Sequence, residues 1–192
     1  MIFMVSPFTL FIDLIKANME GQTLQTKLSD LKDYFYDTKE VEKILNNNIN
    51  PVIYEVKGFV HSQPADNELN FGITILYPGI IGKEFYFTKG HYHIKDFAEV
   101  YIGLKGKGLL LLQSRDGDFL SLNFGKNIIA YIPPGWAHRV VNISSREKLV
   151  WFGIFSSTTG HDYETIRNKG FAKLVLKHRN TYKLVSNPKF RH

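Results

Sequence analysis

The chain has 192 residues, 44% hydrophobic and 22% charged, the usage of one ordinary globular domain, which excludes disorder, collagen and coiled coil. It has no cysteine, so a disulfide scaffold, a thiolate zinc site, an iron–sulfur cluster and a cysteine nucleophile are excluded. Lys and Arg outnumber Asp and Glu by 24 to 18, a formal charge of +6, but the basic residues are scattered, so no nucleic-acid partner is expected.

Met1–Leu14 is apolar, yet it lacks a basic leader and is interrupted by Pro7 and Asp13, so it does not read as a signal peptide. No stretch approaches the length of a membrane span; a cytoplasmic protein with no membrane partner is expected. Phe8, Leu10 and Ile12 alternate with Thr9, Phe11 and Asp13, a strand signal. Thr38 is placed to cap a short helix through Val41, Ile44 and Leu45, ended by Asn46-Asn47-Asn48 and Asn50-Pro51. Residues 1–50 therefore read as an arm of strands and short helix packed on a main body spanning 51–192.

From Pro51 the texture changes to short runs rich in β-branched and aromatic residues. They are 51–60, 70–77, 84–93, 97–104, 107–113, 118–122, 128–132, 137–143 and 148–155, separated by Gly, Pro, Asn and Asp. Many short strands at close spacing predict an all-β sandwich or barrel. Pro78-Gly79, Asp116-Gly117 and Pro134-Gly135 read as turns, the second joining a hairpin. Asp162–Lys169 reads as a short helix stopped by Gly170, and strands at 171–177 and 181–185 follow.

Three of the seven histidines sit in two informative places. In Gly90-His91-Tyr92-His93, a strand aims residues i and i+2 at one face, so both imidazoles converge. Glu99 and Tyr101 share a face by the same spacing, and His138 brings a third imidazole from another strand. Three imidazoles and one carboxylate make a mixed nitrogen–oxygen metal site. With two open positions such a set suits octahedral Fe2+, Mn2+ or Ni2+, whereas a closed tetrahedral zinc site would leave no room for substrate.

The two segments resemble the signature motifs of the cupin superfamily. The first motif runs His-x-His, a gap, Glu, six residues, Gly, and is met by His91, His93, Glu99 and Gly106. The second, Pro-x-Gly-x-x-His-x-x-x-Asn, is met by Pro133, Gly135, His138 and Asn142. A closer resemblance covers about residues 30–189. The strings Leu76-Tyr77-Pro78-Gly79, Phe87-Thr88-Lys89-Gly90-His91, Ala98-Glu99-Val100-Tyr101, Trp136-Ala137-His138-Arg139 and Gly160-His161-Asp162-Tyr163 look like the cupin-type glucose-6-phosphate isomerases, best known from archaea.

That resemblance implies a jelly-roll-like cupin barrel with an N-terminal arm and a few short helices. It implies a homodimer that interconverts glucose 6-phosphate and fructose 6-phosphate, a step of glycolysis and gluconeogenesis. It assigns one divalent metal per subunit, Fe2+ first with Mn2+, Ni2+ or Zn2+ as alternatives, to His91, His93, Glu99 and His138. It assigns the sugar phosphate to Tyr54, Thr74, Thr88, Lys89, Gly90, Tyr101 and His161. Phe155 stands where the family carries a tyrosine.

Chemistry gives these residues roles. A phosphate dianion wants a hydroxyl, a cation and close backbone approach, which Thr88-Lys89-Gly90 offers. Strict alternation puts Thr88 and Gly90 on the face opposite His91 and His93, so a bulge or turn near Gly90 is required. Glu99 is the candidate base for an enediol route; the alternative route is a hydride shift between C1 and C2. Tyr101 and His161 are candidate proton carriers. Trp136 and Tyr92 read as packing residues, Lys83 and Lys107 as turn residues, and His61, His178 and His192 as surface residues. Two other readings stay open: an iron or manganese dioxygenase with the same ligands, and a non-catalytic sugar-binding cupin.

Overall fold

The structure is a computed structural model and describes residues 9, 12–13, 18–60 and 63–190. Strands β1 (Ile12–Asp13), β2 (Asn18–Met19) and β3 (Gln22–Lys27) lead into a 3-10 turn at Leu28–Leu31 and helix α1 (Thr38–Asn46). Then come β4 (Val52–Phe59), β5 (Leu69–Leu76), β6 (Ile80–Ile81), β7 (Glu84–Phe85), β8 (Tyr92–His93), β9 (Glu99–Lys105) and β10 (Lys107–Ser114). The chain continues through β11 (Phe119–Gly125), β12 (Ile129–Ile132), β13 (Trp136–Asn142), β14 (Leu149–Ser156) and β15 (His161–Asp162). Helix α2 (Tyr163–Lys169) and strands β16 (Lys173–His178) and β17 (Thr181–Ser186) complete it. With 51% strand and 12% helix the fold is mostly β, as expected, but among the described residues its sheets do not join into one closed barrel.

The largest sheet has the order β12-β9-β14-β5-β4-β3, and a three-stranded sheet β11-β10-β13 packs on it. A four-stranded sheet β17-β16-β7-β6 closes one side. Side chains along β5 alternate as a strand must. Leu76 enters the main core, whereas Ile73 and Ile75 join Val150 and Met19 in a smaller cluster. Residues 22–46 pack into this body. β3 pairs with β4 as the sheet edge, and Leu28, Leu31, Phe35 and Val41 are fully buried in the main core.

Helix α1 is capped one residue earlier than expected. Asp37 is the N-cap and its carboxylate accepts from the Glu40 N–H at 3.0 Å, so Thr38 is the first helical residue. Helix α2 begins at the Asp162 cap, which accepts from the Thr165 N–H at 3.0 Å, and stops at Gly170, φ 73°. In the expected first strand only Ile12 and Asp13 are described as strand; Phe8, Leu10 and Phe11 lie outside the described residues, as do His61 and His192.

The expected run 84–93 is not one strand. It divides into β7 and β8 around an irregular stretch that bridges to the free edge of β13. Phe87 pairs with Val141 and His91 with His138. Residues 88–90 on one side thus face only 139–140 on the other, the signature of a β-bulge with one extra residue. Gly90, at φ 70°, supplies the left-handed turn that a side chain would resist.

Candidate metal centre and substrate cavity

Three elements deliver the ligand set. β8 carries His93, the bridge to β13 aligns His91 with His138, and Glu99 opens β9. His91 and His138 exchange backbone hydrogen bonds of 3.3 and 3.1 Å, which fixes the two Cα atoms side by side. One donor atom from each of His91, His93, Glu99 and His138 lies within 4.8 Å of every other.

The proton positions favour a cation there. His93 Nδ1 lies 2.6 Å from the Phe97 carbonyl, which can only accept, so Nδ1 bears the hydrogen. With the hydrogen on Nδ1, Nε2 is the atom turned toward Glu99 Oε2, at 3.2 Å. His138 Nε2 stands 3.0 Å from the same oxygen, off the line a hydrogen bond needs, and His91 Nε2 is buried without a partner. Lone pairs crowded on a carboxylate repel unless positive charge sits among them. A divalent cation meets that need, and the Phe97 carbonyl is the outer partner that orients a ligating imidazole.

Electrostatics point the same way. Burial, reinforced by His138, His161 and His93, holds His91 well below the ordinary imidazole value. Burial also lowers His161 to about 4 despite the opposing charge of Glu99, so it is neutral at pH 7. Tyr101 is pushed well above its ordinary value by burial and by the Glu99 carboxylate, to which its hydroxyl donates.

The ligand set opens on a cavity of about 320 Å³. Its wall is the inner face of the large sheet. Gly58, Gly72 and Gly153 are paired neighbours in a row across β4, β5 and β14, and Tyr101 continues the row on β9. A missing side chain at three successive positions hollows the sheet. Tyr54, Thr74, Thr88, Lys89, Gly90, His91, Glu99, Tyr101, His138 and His161 all line this hollow; His93 sits behind it. The bulge is what turns Thr88 and Gly90 to the same side as His91, the requirement that alternation imposed.

Several wall residues had no signal of their own in the sequence. Tyr163 faces the cavity with its ring 5.2 Å from His91 and 5.5 Å from His161, and Lys89 Nζ lies 5.6 Å from its centre. It followed His161 in a matching string, yet nothing in its spacing marked it. Trp151 closes the inner end against Tyr101 at 5.7 Å. Phe155 sits 5.5 Å from His161. Tyr92 packs in the core, its hydroxyl donating to the Ser114 carbonyl at 3.1 Å, and Trp136 packs half-buried against it. Lys83, Lys107 and His178 are exposed.

The profile of the family described as Glucose-6-phosphate isomerase (GPI) matches residues 25–190. The Thermococcus kodakarensis protein named glucose-6-phosphate isomerase is 42% identical over 187 residues, 96% of this chain and 97% of that one. The Pyrococcus furiosus protein of the same name is also 42% identical over 187 residues, with the same coverage. Among solved structures, a cupin 2 conserved barrel domain protein from Salinispora arenicola aligns with a TM-score of 0.41 at 18% identity, over 54% of this chain and 75% of that one. With a family profile and full-length relatives both matching, this chain belongs to the glucose-6-phosphate isomerase family.

Proposed function

We propose that the chain interconverts glucose 6-phosphate and fructose 6-phosphate, with one divalent cation held by His91, His93, Glu99 and His138. The observation that carries this reading is that the cation-ready cluster and the Thr88-Lys89-Gly90 bulge share one cavity. A cation in the cluster supplies Lewis-acid polarisation of the sugar carbonyl. The bulge takes the phosphate. Thr88 Oγ1 accepts from the Val140 N–H at 3.1 Å, so its own hydrogen is free to donate outward. Lys89 supplies positive charge, and Gly90 lets the backbone approach closely.

A carboxylate that holds a cation would be a weakened base, which favours the hydride route over proton abstraction by Glu99. The hydrogen at C2 moves with its electron pair to the C1 carbonyl carbon. The C2 hydroxyl gives up its proton as O2 becomes the new carbonyl, and the former carbonyl oxygen gains one at O1. Neutral His161 accepts the proton from O2 and returns it at O1, and Tyr101 holds Glu99 in place by donating to it.

A coupled assay on chelator-stripped protein, with single metals added back, tests this function. Activity restored by a divalent metal is expected, Fe2+ first. Full activity in metal-free protein refutes the cation's role. Oxygen uptake without isomerisation supports the dioxygenase reading, and tight sugar-phosphate binding without turnover supports a binding protein. Turnover in deuterated water separates the routes: deuterium at C2 of recovered glucose 6-phosphate rules out a pure hydride shift.

A further inference from the structure

The bulge at residues 88–90 frees a backbone carbonyl, and a buried carbonyl released from its ladder needs another donor. Lys89 is that residue. Its carbonyl accepts from Arg139 twice, from Nη2 at 2.7 Å and from Nε at 3.3 Å. Arg139 lies on β13 opposite the bulge, between the ligand His138 and Val140, which bonds Thr88.

Arg139 is unusual for an arginine. It is 3% exposed, and among the described residues it has no carboxylate within ion-pair distance. Two phenyl rings hold the guanidinium instead, Phe87 at 4.2 Å and Phe171 at 4.7 Å. Phe171 also braces the bulge, because a Cβ built on Gly90 would meet its ring at 2.7 Å. The Lys89 N–H, on the other side of the same residue, faces the Tyr54 hydroxyl. A buried charge spent on a backbone carbonyl demands a reason beyond filling the core, which a leucine or methionine does at less expense in desolvation.

We propose that Arg139 is a positioning residue: its fork on the Lys89 carbonyl sets the bulge and so holds Thr88, Lys89 and Gly90 against the substrate's phosphate. This rests on the reading of the bulge as the phosphate end of the cavity. A lysine keeps the charge but cannot give two parallel N–H bonds or lie flat between the rings. A methionine keeps the volume and gives neither.

The test compares wild type, R139K and R139M, each loaded with the activating metal, in steady-state isomerisation and in backbone amide exchange of residues 87–91. R139M is expected to raise KM for the sugar phosphate about tenfold or more while kcat changes less than about threefold. R139K is expected to fall between, with metal content unchanged in both. Faster exchange at 88–90 accompanies the rise in KM. KM within about twofold of wild type in folded R139M overturns the proposal, as does a loss confined to kcat or to metal content. Should R139M fail to fold, the KM of R139K decides on the same scale. A wild type without isomerase activity sinks the proposed function alone; exchange at 88–90 in R139K then still decides whether the fork sets the bulge.

Discussion

Glu84 illustrates how one side chain can tune the fold's response to pH. It is buried on β7, accepts from the Tyr36 N–H at 3.0 Å and faces Arg139 without touching it. Burial raises its carboxyl from the ordinary 4.5 to about 7, against the pull of the Tyr36 N–H and the Arg139 charge. The unfolded chain therefore ionises first, and stability is lost as pH climbs from about 4.5 through about 7. The full loss is roughly 3 kcal/mol. Glu84→Gln keeps the acceptor for Tyr36 and removes the titration. The urea midpoint of the variant is expected to gain on wild type between pH 5 and pH 8; a constant difference across that range refutes the assignment. Thr88 gives a second case. Thr88→Val removes both its outward donor and the acceptor for the Val140 N–H, whereas Thr88→Ser keeps both. KM for the phosphorylated sugar is expected to rise about tenfold in the valine variant and to stay near wild type in the serine variant. Equal KM in both variants would exclude the hydroxyl from phosphate binding.

At the scale of elements, the hollow is made by what the strands lack. The glycine row across β4, β5 and β14 leaves space that Tyr101 and Glu99 border from β9. A Cβ at position 153 would stand 3.1 Å from the Tyr101 ring and 3.5 Å from Glu99 Oε1. Gly153→Ala is expected to cut kcat about tenfold by shifting that pair, while the melting temperature moves by only a few degrees. Unchanged kcat would remove Tyr101 and Glu99 from the reacting centre. The strand rhythm was legible because β5 and β9 alternate, and His91 with His93 announced a shared face by their spacing. The glycine row was not legible, since its members are neighbours only through cross-strand register. The bulge was half legible: alternation demanded a break near Gly90, but the residue that holds it, Arg139, lies fifty positions away in the Lys89 pairing. The cap of α1 was missed because Asp37 and Thr38 are both good capping types, and only the backbone angles choose between them.

For the whole molecule, a cation would tie together segments that are far apart in the chain. His91, His93 and Glu99 sit before the β10–β11 hairpin and His138 after it, so binding favours only the folded arrangement. At a metal concentration one hundred times its Kd the fold gains about 2.7 kcal/mol. Chelation is therefore expected to lower the melting temperature by roughly 5–10 °C for a chain of this length, and re-addition to restore it. A chelator-insensitive melting curve, with metal content shown to fall, would mean the cluster holds no cation in the folded state. Among the described residues no helix is long and apolar enough to cross a membrane.

The edge strand β3 has one more consequence. Among the described residues it is joined to the sheet through β4 alone, and Gln22 and Leu24 stand at the lip of the hollow, while the three imidazoles of the cluster and Glu99 come from residue 91 onward. On the proposed function, the ion is held wholly by the later part of the chain, whereas the shelter around the sugar is completed by β3. On that reading, trimming β3 would unroof the chamber and admit water to the reacting carbons, yet leave the grip on the ion intact.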